Sequence, residues 1–413
     1  MRFLIFYFSV VFCISPLIHF SKTIHVGKNA LNKSIQVALA QSQPYDTILV
    51  SPGVYHEKNL IIGKPLVLIG SNYPVLDGEN KYEIVSIKSS HVTVRGFKLQ
   101  HSGHGTLSDP AGIKLYNVHH VNVIDNVLND TFFGIYLQYS KKSIIKNNRL
   151  TSFGKEEQQI GNGIHCWKSD SLLIEGNSIT GHRDGIYFEF VTHSAIIRNN
   201  SHANIRYGLH FMFSHDDSYL MNKFIGNGAG VAVMFSHGVK MYYNEFNENW
   251  GDAAYGILLK EITDSHIEGN LFFKNTSGVY MEGVSRVVMK NNIFRNNGWA
   301  IKIQASCMDV NVNSNNFFGN TFDVGTNGTL VLNSFNKNYW DKYEGYDLNR
   351  DLIGDVPYHP VSMFSVIIEK NPPAMILYRS IMVSLLDKTE KLIPSLTPEN
   401  LLDETPCMKP LQL

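Results

Sequence analysis

The central part of the chain repeats one short pattern of apolar and polar residues. Each copy begins with a glycine, followed by an apolar residue and then by alternation, as in Gly208-Leu209-His210-Phe211. Successive glycines are separated by 29, 22, 23, 22, 26 and 22 residues. A second motif, built on asparagine, lies between the copies. The glycines are Gly134, Gly163, Gly185, Gly208, Gly230, Gly256 and Gly278, and the asparagines include Asn148, Asn177, Asn199, Asn270, Asn292 and Asn315.

A period near 22 residues predicts a solenoid, in which each repeat packs on its neighbours. The alternating stretches are too short for helices, and no Leu-x-x-Leu-x-Leu frame occurs. We therefore predict an all-β fold, a right-handed parallel β-helix whose coils each turn through three short strands. Neighbouring coils would stack at about 4.8 Å. Asparagines at equivalent turns are expected to form an internal amide ladder.

The segments outside the repeat are predicted to cap the solenoid. Apolar spacing predicts an amphipathic helix over 29–43, which would cover the open edge of the first coil. After Phe318 the repeat fades into a loop-rich closing segment, an apolar helix over 373–386 and a Pro-rich tail. These changes divide the mature chain into an N-terminal cap with the first coils (22–110), central repeats (111–335) and a C-terminal closing segment (336–413).

The first residues of the chain predict export. Arg2 is followed by an uncharged run to Phe20, which is too short and too interrupted for a membrane span and is typical of a secretory signal peptide over 1–21. The mature chain is therefore expected outside the cytoplasm. Its cysteines lie far apart and form no CxxC pair, so neither a disulfide framework nor a zinc site is indicated. Cys166 and Cys307 are predicted to be buried thiols.

Charge and motif content exclude two classes of function. The 413 residues include 36 basic and 36 acidic side chains. This zero net charge argues against nucleic-acid binding through a basic surface. The chain also has no Gly-x-x-x-x-Gly-Lys motif, so any ATP would be used by a partner.

Two stretches of the chain resemble known families. Residues 35–66, with Pro52-Gly53-Val54-Tyr55, resemble the first coils of pectin-lyase-like β-helices. The phrase from Gly208 to His215, with 230–237 one coil further on, resembles the NosD family, and this resemblance extends over the mature chain. It implies a periplasmic accessory protein for the maturation of nitrous oxide reductase, with no reaction of its own. The partners that it implies are an ABC transporter permease and ATPase, a copper-chaperone lipoprotein and the apo reductase.

Five residues within this stretch and the equivalent stretch of the next coil favour copper. Met212 and Met234 each lie four residues after their glycine, and His215 and His237 each lie seven after it. Because the two members of each pair occupy the same position in consecutive coils, Met212 should stack on Met234 and His215 on His237, at about 5 Å. Alternation turns Met212 outward together with His210. Thioether and imidazole ligands suit Cu(I), so these five residues are predicted to hold or pass copper transiently. Packing and hydrogen bonding are the alternative roles.

Carbohydrate chemistry is the alternative function for a β-helix. Asp216-Asp217 and Gly103-His104-Gly105 resemble motifs of polysaccharide hydrolases. Here they occur in the reverse order, and the other motifs of those enzymes do not occur at the matching coil positions. We therefore expect no catalysis and predict that the two aspartates are turn residues. A sugar-binding role without metal would use exposed aromatic rings, which otherwise pack between coils. The candidate rings are Trp167, Tyr187, Tyr280 and Trp299.

Overall fold

The chain winds into a right-handed parallel β-solenoid of about 14 turns, as predicted. The computed structural model describes residues 21–105, 109–330, 332–393 and 401–413. The predicted signal peptide, apart from its last residue, lies outside the described residues. Each coil passes in turn through three parallel sheets, named here the first, second and third sheets, and then rises to the next coil.

The three sheets run the length of the solenoid. The strands of the first sheet are Thr23–Val26, Thr47–Val50, Val67–Gly70, Thr93–Arg95, Asn122–Ile124, Ile144–Lys146, Leu173–Glu175, Ala195–Ile197, Ser218–Leu220, Lys240–Tyr242, Thr263–Glu268, Ser285–Lys290, Met308–Asn313 and Ser334–Asn336. Those of the second sheet are Val54–Tyr55, Val75–Asp77, Lys98–Gln100, Val127–Asn129, Arg149–Thr151, Ser178–Thr180, Asn200–His202, Lys223–Ile225, Glu245–Asn247, Leu271–Phe273, Ile293–Arg295, Asn316–Phe318 and Tyr339–Trp340. Those of the third sheet are Leu60–Ile62, Val85–Ile87, Ala111–Tyr116, Phe133–Gln138, Ile164–Trp167, Asp184–Glu189, Tyr207–Met212, Ala229–Met234, Tyr255–Lys260, Ser277–Glu282, Trp299–Ile303 and Phe322–Gly325.

The predicted amide ladder lies between the first and second sheets. At each step an asparagine donates both its backbone N–H and its side-chain N–H to the side-chain oxygen of the next, as Asn148 does to Asn177 at 2.9 and 3.0 Å. These side chains are buried, so the ladder satisfies polar groups that water cannot reach. Its members are Asn126, Asn148, Asn177, Asn199, Asn222, Asn244, Asn270, Asn292, Asn315 and Asn338.

A second ladder, which the sequence did not predict, lies between the second and third sheets. It joins Asn204, Asn227, Asn249, Asn275, Asn297 and Asn320. Three of the repeated glycines lie next to this ladder, because a Cβ added at Gly185, Gly208 or Gly230 would meet a ladder amide nitrogen within 3.1 Å. At Gly208 an added Cβ would meet the Gly230 carbonyl oxygen at 2.7 Å and the Phe224 ring at 2.9 Å. Close approach of neighbouring coils therefore explains the repeated glycine.

The N-terminal helix is shorter than predicted. It spans Ile35–Gln41 (α1) rather than 29–43, because Ser34 caps it by accepting from the Val37 N–H. Glu57 reinforces this start by accepting from the backbone N–H groups of Ile35 and Gln36, at 2.6 and 2.7 Å. The buried face of α1, formed by Ile35, Ala38 and Leu39, packs at the beginning of the core.

The C-terminal segment also differs from the prediction. The single helix expected over 373–386 is divided into a 3₁₀ helix, Pro372–Leu377, and α3, Ile381–Leu392, after a helix that was not predicted, Met363–Lys370 (α2). A further 3₁₀ turn, Glu157–Gln159, lies in a loop of the solenoid. The helices cover Trp299 and Phe322 with a small apolar cluster. Among the described helices, none combines the length and hydrophobicity that crossing a bilayer requires.

The end of the Pro-rich tail packs against the last coil. Cys407 forms backbone β-bridges with Tyr339 and Ile353, and its backbone N–H donates to the backbone carbonyl of Asn338. Cys166 and Cys307 are buried free thiols, as predicted. The tail therefore closes the C-terminal end of the solenoid instead of leaving it.

Candidate functional site

Met212 and Met234 occupy equivalent positions on neighbouring coils. Their strands pair in parallel, and the two methionines are direct register partners. Leu209 and Phe211 lie in the core, so alternation turns the methionine side chains outward, where both are partly exposed. The structure thus confirms the stacking that the glycine phase predicts. Their role as metal ligands stays a prediction.

His215 and His237 also stack, at the turn between the third and first sheets. Their ring centroids are 4.1 Å apart and the ring planes differ by 10°. The His237 backbone N–H donates to Nδ1 of His215 at 3.2 Å. Nitrogen lone pairs lie in the plane of an imidazole ring, so two parallel rings cannot direct their lone pairs at one ion between them. A metal ion would bind one ring, or a ring would first have to turn.

The electrostatics of this turn favour a neutral imidazole. Partial burial, together with His237, lowers the pKa of His215 from its usual value, and Asp216 acts in the opposite direction. Nδ1 of His237 lies 3.9 Å from a carboxylate oxygen of Asp216. The lowered pKa favours the neutral form of His215, which is the form of an imidazole that can bind a metal ion.

An exposed aromatic ladder separates the methionine pair from the histidine pair. Phe190, Phe213 and Phe235 stack with centroids 5.3 and 5.1 Å apart and nearly parallel rings. All three have left-handed backbone conformations, with φ of 54°, 49° and 54°. Bulky residues rarely adopt this conformation, and Phe190 and Phe213 are 44% and 39% exposed. Sequence analysis missed the ladder, although each phenylalanine lies five residues after its glycine.

His210 lies on the same strand as Met212 but is built into a buried polar cluster. Its Nδ1 is 3.5 Å from a carboxylate oxygen of Asp184, which also accepts two hydrogen bonds from Arg206 at 2.9 and 2.8 Å. The ring packs against Tyr187 and Tyr207. The structure therefore separates His210 from the exposed pairs by burial, and its proposed contact with metal stays a prediction.

Of the two aspartates that resemble hydrolase residues, Asp217 is held inside the fold and Asp216 is half-exposed. Asp217 is buried and accepts from the Ser194 N–H at 2.7 Å, and burial raises its pKa to about 8. Asp216 adopts the left-handed conformation of a turn residue, as predicted, with φ of 57°. Asp184 is bound by Arg206 on the third sheet. Each acid thus has its own structural partner.

The aromatic residues considered for sugar binding pack on other rings. Tyr187 lies between His165 and His210, at centroid distances of 4.9 Å to each, and is nearly buried. Trp299 stacks on Phe322 beneath the C-terminal helices. The remaining two candidates pack on tyrosines of a neighbouring coil, Trp167 on Tyr139 and Tyr280 on Tyr255.

Comparison with known proteins gives a family for the chain. A family described as "Periplasmic copper-binding protein (NosD)" matches residues 42–156 and 151–346. A protein of Pseudomonas aeruginosa named "Probable ABC transporter binding protein NosD" is 27% identical over 374 residues, in an alignment that covers 85% of this chain and 86% of the relative. A protein of the same name from Stutzerimonas stutzeri is 25% identical over 378 residues, covering 87% and 86%.

Solved structures share the architecture. The A-module of the mannuronan C-5 epimerase AlgE6 from Azotobacter vinelandii superposes with a TM-score of 0.51 at 16% identity, over 71% of this chain and 85% of that module. At this level of identity the likeness concerns the fold alone. It agrees with the parallel β-helix and carries no activity over to this chain.

Proposed function

Because the chain belongs to the NosD family of periplasmic copper-binding proteins, we propose that it relays copper during the maturation of nitrous oxide reductase. In this proposal it is an exported accessory protein in the periplasm and catalyses no reaction. It takes Cu(I) transiently from a copper-chaperone lipoprotein and presents it to the apo reductase. An ABC transporter, made of a permease and an ATPase, supplies the energy from ATP.

The stacked pair of Met212 and Met234 carries this proposal. Two partly exposed thioethers on directly paired positions form a soft donor set that suits Cu(I) and remains open to a partner. His215 and His237 lie three residues further along the same two coils and would supply an imidazole when a ring turns. In this proposal His210 would also contact the copper ion, from its buried position beside Asp184 on the same strand as Met212. A small, open ligand set favours transfer over storage.

The aromatic ladder supports handover to a protein partner. Phe190 and Phe213 present exposed ring surface, and Phe235 a partly exposed ring, directly beside the proposed ligands. Aromatic side chains are enriched at the centres of protein interfaces, where they exclude water. We place the copper chaperone and the apo reductase on this ladder, in succession, so that a docked partner covers the methionine pair.

The C-terminal cap offers a different surface for the transporter. The buried Val383 of α3 packs with Phe322 and Phe364, whereas other apolar residues of the cap face outward. Relatives of the chain are named as ABC transporter binding proteins, and a membrane permease would present apolar surface to such a face. The outward residues are Ile376, Ile381, Met382 and Leu385.

Anaerobic titration of the mature protein with Cu(I), against a chromophoric chelator, tests the relay. We expect one equivalent of Cu(I) to bind, and expect the double change Met212→Leu with Met234→Leu to abolish binding. Leucine conserves side-chain volume, so the fold is kept. Met308→Leu, at a half-exposed methionine of the first sheet, is the matched control and should bind as the wild type does. Equal binding by the double variant and the wild type would refute this site.

A further inference from the structure

Three exposed histidines converge on the surface near the N-terminal end of the solenoid. His91, His119 and His120 each offer a ring nitrogen, and these atoms all lie within 4.8 Å of one another. Nδ1 of His119 is 2.8 Å from Nδ1 of His120. The ring of His91 stacks on His120 at 5.0 Å and meets His119 edge-on at 5.2 Å. Among the described residues, no other group of three potential His, Cys, Asp or Glu ligands is this close.

The register of the solenoid assembles this cluster. His91 lies two residues before the strand Thr93–Arg95, and His120 lies two residues before Asn122–Ile124, which pairs with it in the first sheet. Both histidines adopt the left-handed conformation, with φ of 59° and 55°, so they are equivalent residues of one turn on neighbouring coils. The Ser90 hydroxyl accepts from the His119 N–H at 3.0 Å and fixes this turn.

The cluster lies on the same ridge as His215 and His237 but is well separated from them. A chain of backbone β-bridges runs from His119 through Lys141, Asp170 and Thr192 to His215. The two histidine groups are therefore four coils apart. At about 4.8 Å per coil this is roughly 19 Å. One ion cannot be shared over that distance, so the cluster stands apart from the proposed Cu(I) ligands.

Three imidazoles form a borderline donor set. Neutral histidine suits Zn²⁺, Ni²⁺ and Cu²⁺, and among these the affinity order of nitrogen and oxygen sites places Cu²⁺ highest. The methionine sulfur that would favour Cu(I) is absent from this set of three residues. Lys141 and Lys142 take the equivalent turn positions on the next coil, and their charge opposes a cation from that side. The exposed side of the cluster remains open for a water molecule or a partner's ligand.

We propose that His91, His119 and His120 form a second metal site, which binds a divalent late first-row ion, Cu²⁺ in preference to Zn²⁺. The site uses one nitrogen from each ring and leaves at least one coordination position to solvent. It does not rest on the proposed relay, because it differs from the methionine pair in residues, location and oxidation state of the metal.

Titration of the mature protein with Cu²⁺, followed by electron paramagnetic resonance, tests this site. We expect one equivalent of Cu²⁺ with hyperfine structure from several nitrogens, lost in a triple variant with His91→Asn, His119→Gln and His120→Asn. Asparagine is chosen where the backbone is left-handed, because it tolerates that conformation. A Zn²⁺ competition arm should displace Cu²⁺ only at a large excess of Zn²⁺.

Two controls separate this proposal from the others. The Met212→Leu, Met234→Leu double variant should keep the Cu²⁺ signal, and circular dichroism should show that the triple variant is folded. A folded triple variant with the wild-type stoichiometry and spectrum would overturn the site, as would a wild-type protein without nitrogen-coordinated Cu²⁺. Effective competition by equimolar Zn²⁺ would overturn the stated preference.

Discussion

Asn338 donates two hydrogen bonds to one carboxylate oxygen of Asp403, from its backbone N–H at 3.1 Å and from its side-chain amide at 3.0 Å. Asn338 is the last asparagine of the first ladder, and every earlier member makes the same pair of bonds to the asparagine of the next coil. Asp403, 65 residues away and fully buried, replaces the missing coil. The same oxygen accepts from Trp340 Nε1 at 3.0 Å. A residue of the tail thus completes the internal ladder.

Removing this carboxylate should destabilise the C-terminal end. Asp403→Ala leaves three buried donors without their acceptor, and an unsatisfied buried polar group costs about 1–3 kcal/mol. We expect a loss of at least about 2 kcal/mol, measured as a lower urea midpoint by circular dichroism. Glu404→Ala, at the exposed neighbour, is the control and should leave the midpoint unchanged. Equal midpoints for the two variants would contradict the role of Asp403.

Replacing the buried Asp217 with a neutral residue should increase the stability of the fold by an amount that depends on pH. Burial raises its pKa to about 8, so the folded state disfavours the charged carboxylate. Because the pKa is higher in the folded state than in the unfolded state, stability is lost as the pH rises from about 4 to about 8 and is then level. Asp217→Asn should therefore be more stable than the wild type at pH 9, and the difference should shrink toward pH 4.

Thermal unfolding at several pH values measures this difference. Asp216→Asn is the matched control, because Asp216 is adjacent, half-exposed and in a turn conformation that asparagine accepts. Its difference from the wild type should stay small at every pH. A pH-independent effect of Asp217→Asn would show that its carboxylate does not titrate in the folded protein as proposed.

Arg206 is expected to be essential for the buried cluster around Asp184. Burial pushes the pKa of Asp184 upward, but hydrogen bonds from His210 and Arg206 outweigh it and hold the pKa below its usual value. Arg206→Gln would leave the carboxylate buried with much less compensation, at a cost of about 3–5 kcal/mol. The loss should be largest at neutral pH and should shrink in acid, where Asp184 becomes protonated.

Denaturant unfolding at pH 7 and pH 4 measures the effect of Arg206→Gln. Arg198→Gln provides the comparison, since Arg198 pairs with Glu175 on the surface and is largely exposed. A surface pair contributes at most about 1 kcal/mol. Similar losses for the two arginine variants at pH 7 would count against a buried ion pair.

The aromatic ladder predicts that function and stability can be separated. Phe213→Asn removes one ring but places a residue that tolerates the left-handed conformation, so stability should change by less than about 1 kcal/mol. If the ladder docks partners, binding of the copper chaperone, measured by surface plasmon resonance, should weaken at least tenfold. Tyr243→Asn is the control, because Tyr243 is also exposed and left-handed but lies on another turn. Unchanged binding by Phe213→Asn would remove the ladder from the interface.

The fold could be predicted because its determinants are local and repeated. Gly208 and Gly230 mark the phase of two coils, and that phase alone stacks Met212 on Met234. The side-chain orientation could not be predicted in the same way. The face-to-face rings of His215 and His237 are joined by a hydrogen bond that the His237 backbone N–H donates to Nδ1 of His215 on the neighbouring coil.

Contacts between residues that are not one regular repeat apart also could not be predicted from the sequence. His91 and His120 are 29 residues apart, and their equivalence becomes visible only when the first-sheet register is known. From the sequence Asp403 is only one residue of the Pro-rich tail, and its role follows from the position of Asn338, which has no asparagine of a further coil to accept from it. In both cases a long-range contact decides the position of a residue whose local sequence carries no comparable signal.

The asparagine ladders give the solenoid a direction. Along the first ladder the bonds between asparagines all run one way, from the N–H groups of one asparagine to the side-chain oxygen of the next, so the two ends are chemically different and Asp403 supplies the acceptor after the last member. Internal coils, by contrast, are interchangeable steps of about 4.8 Å. Inserting or deleting one coil between His120 and His215 would lengthen or shorten the distance between the two histidine groups by that step, while both ends kept their caps. The solenoid thus acts as a ruler, on which the spacing of surface sites is set in whole coils.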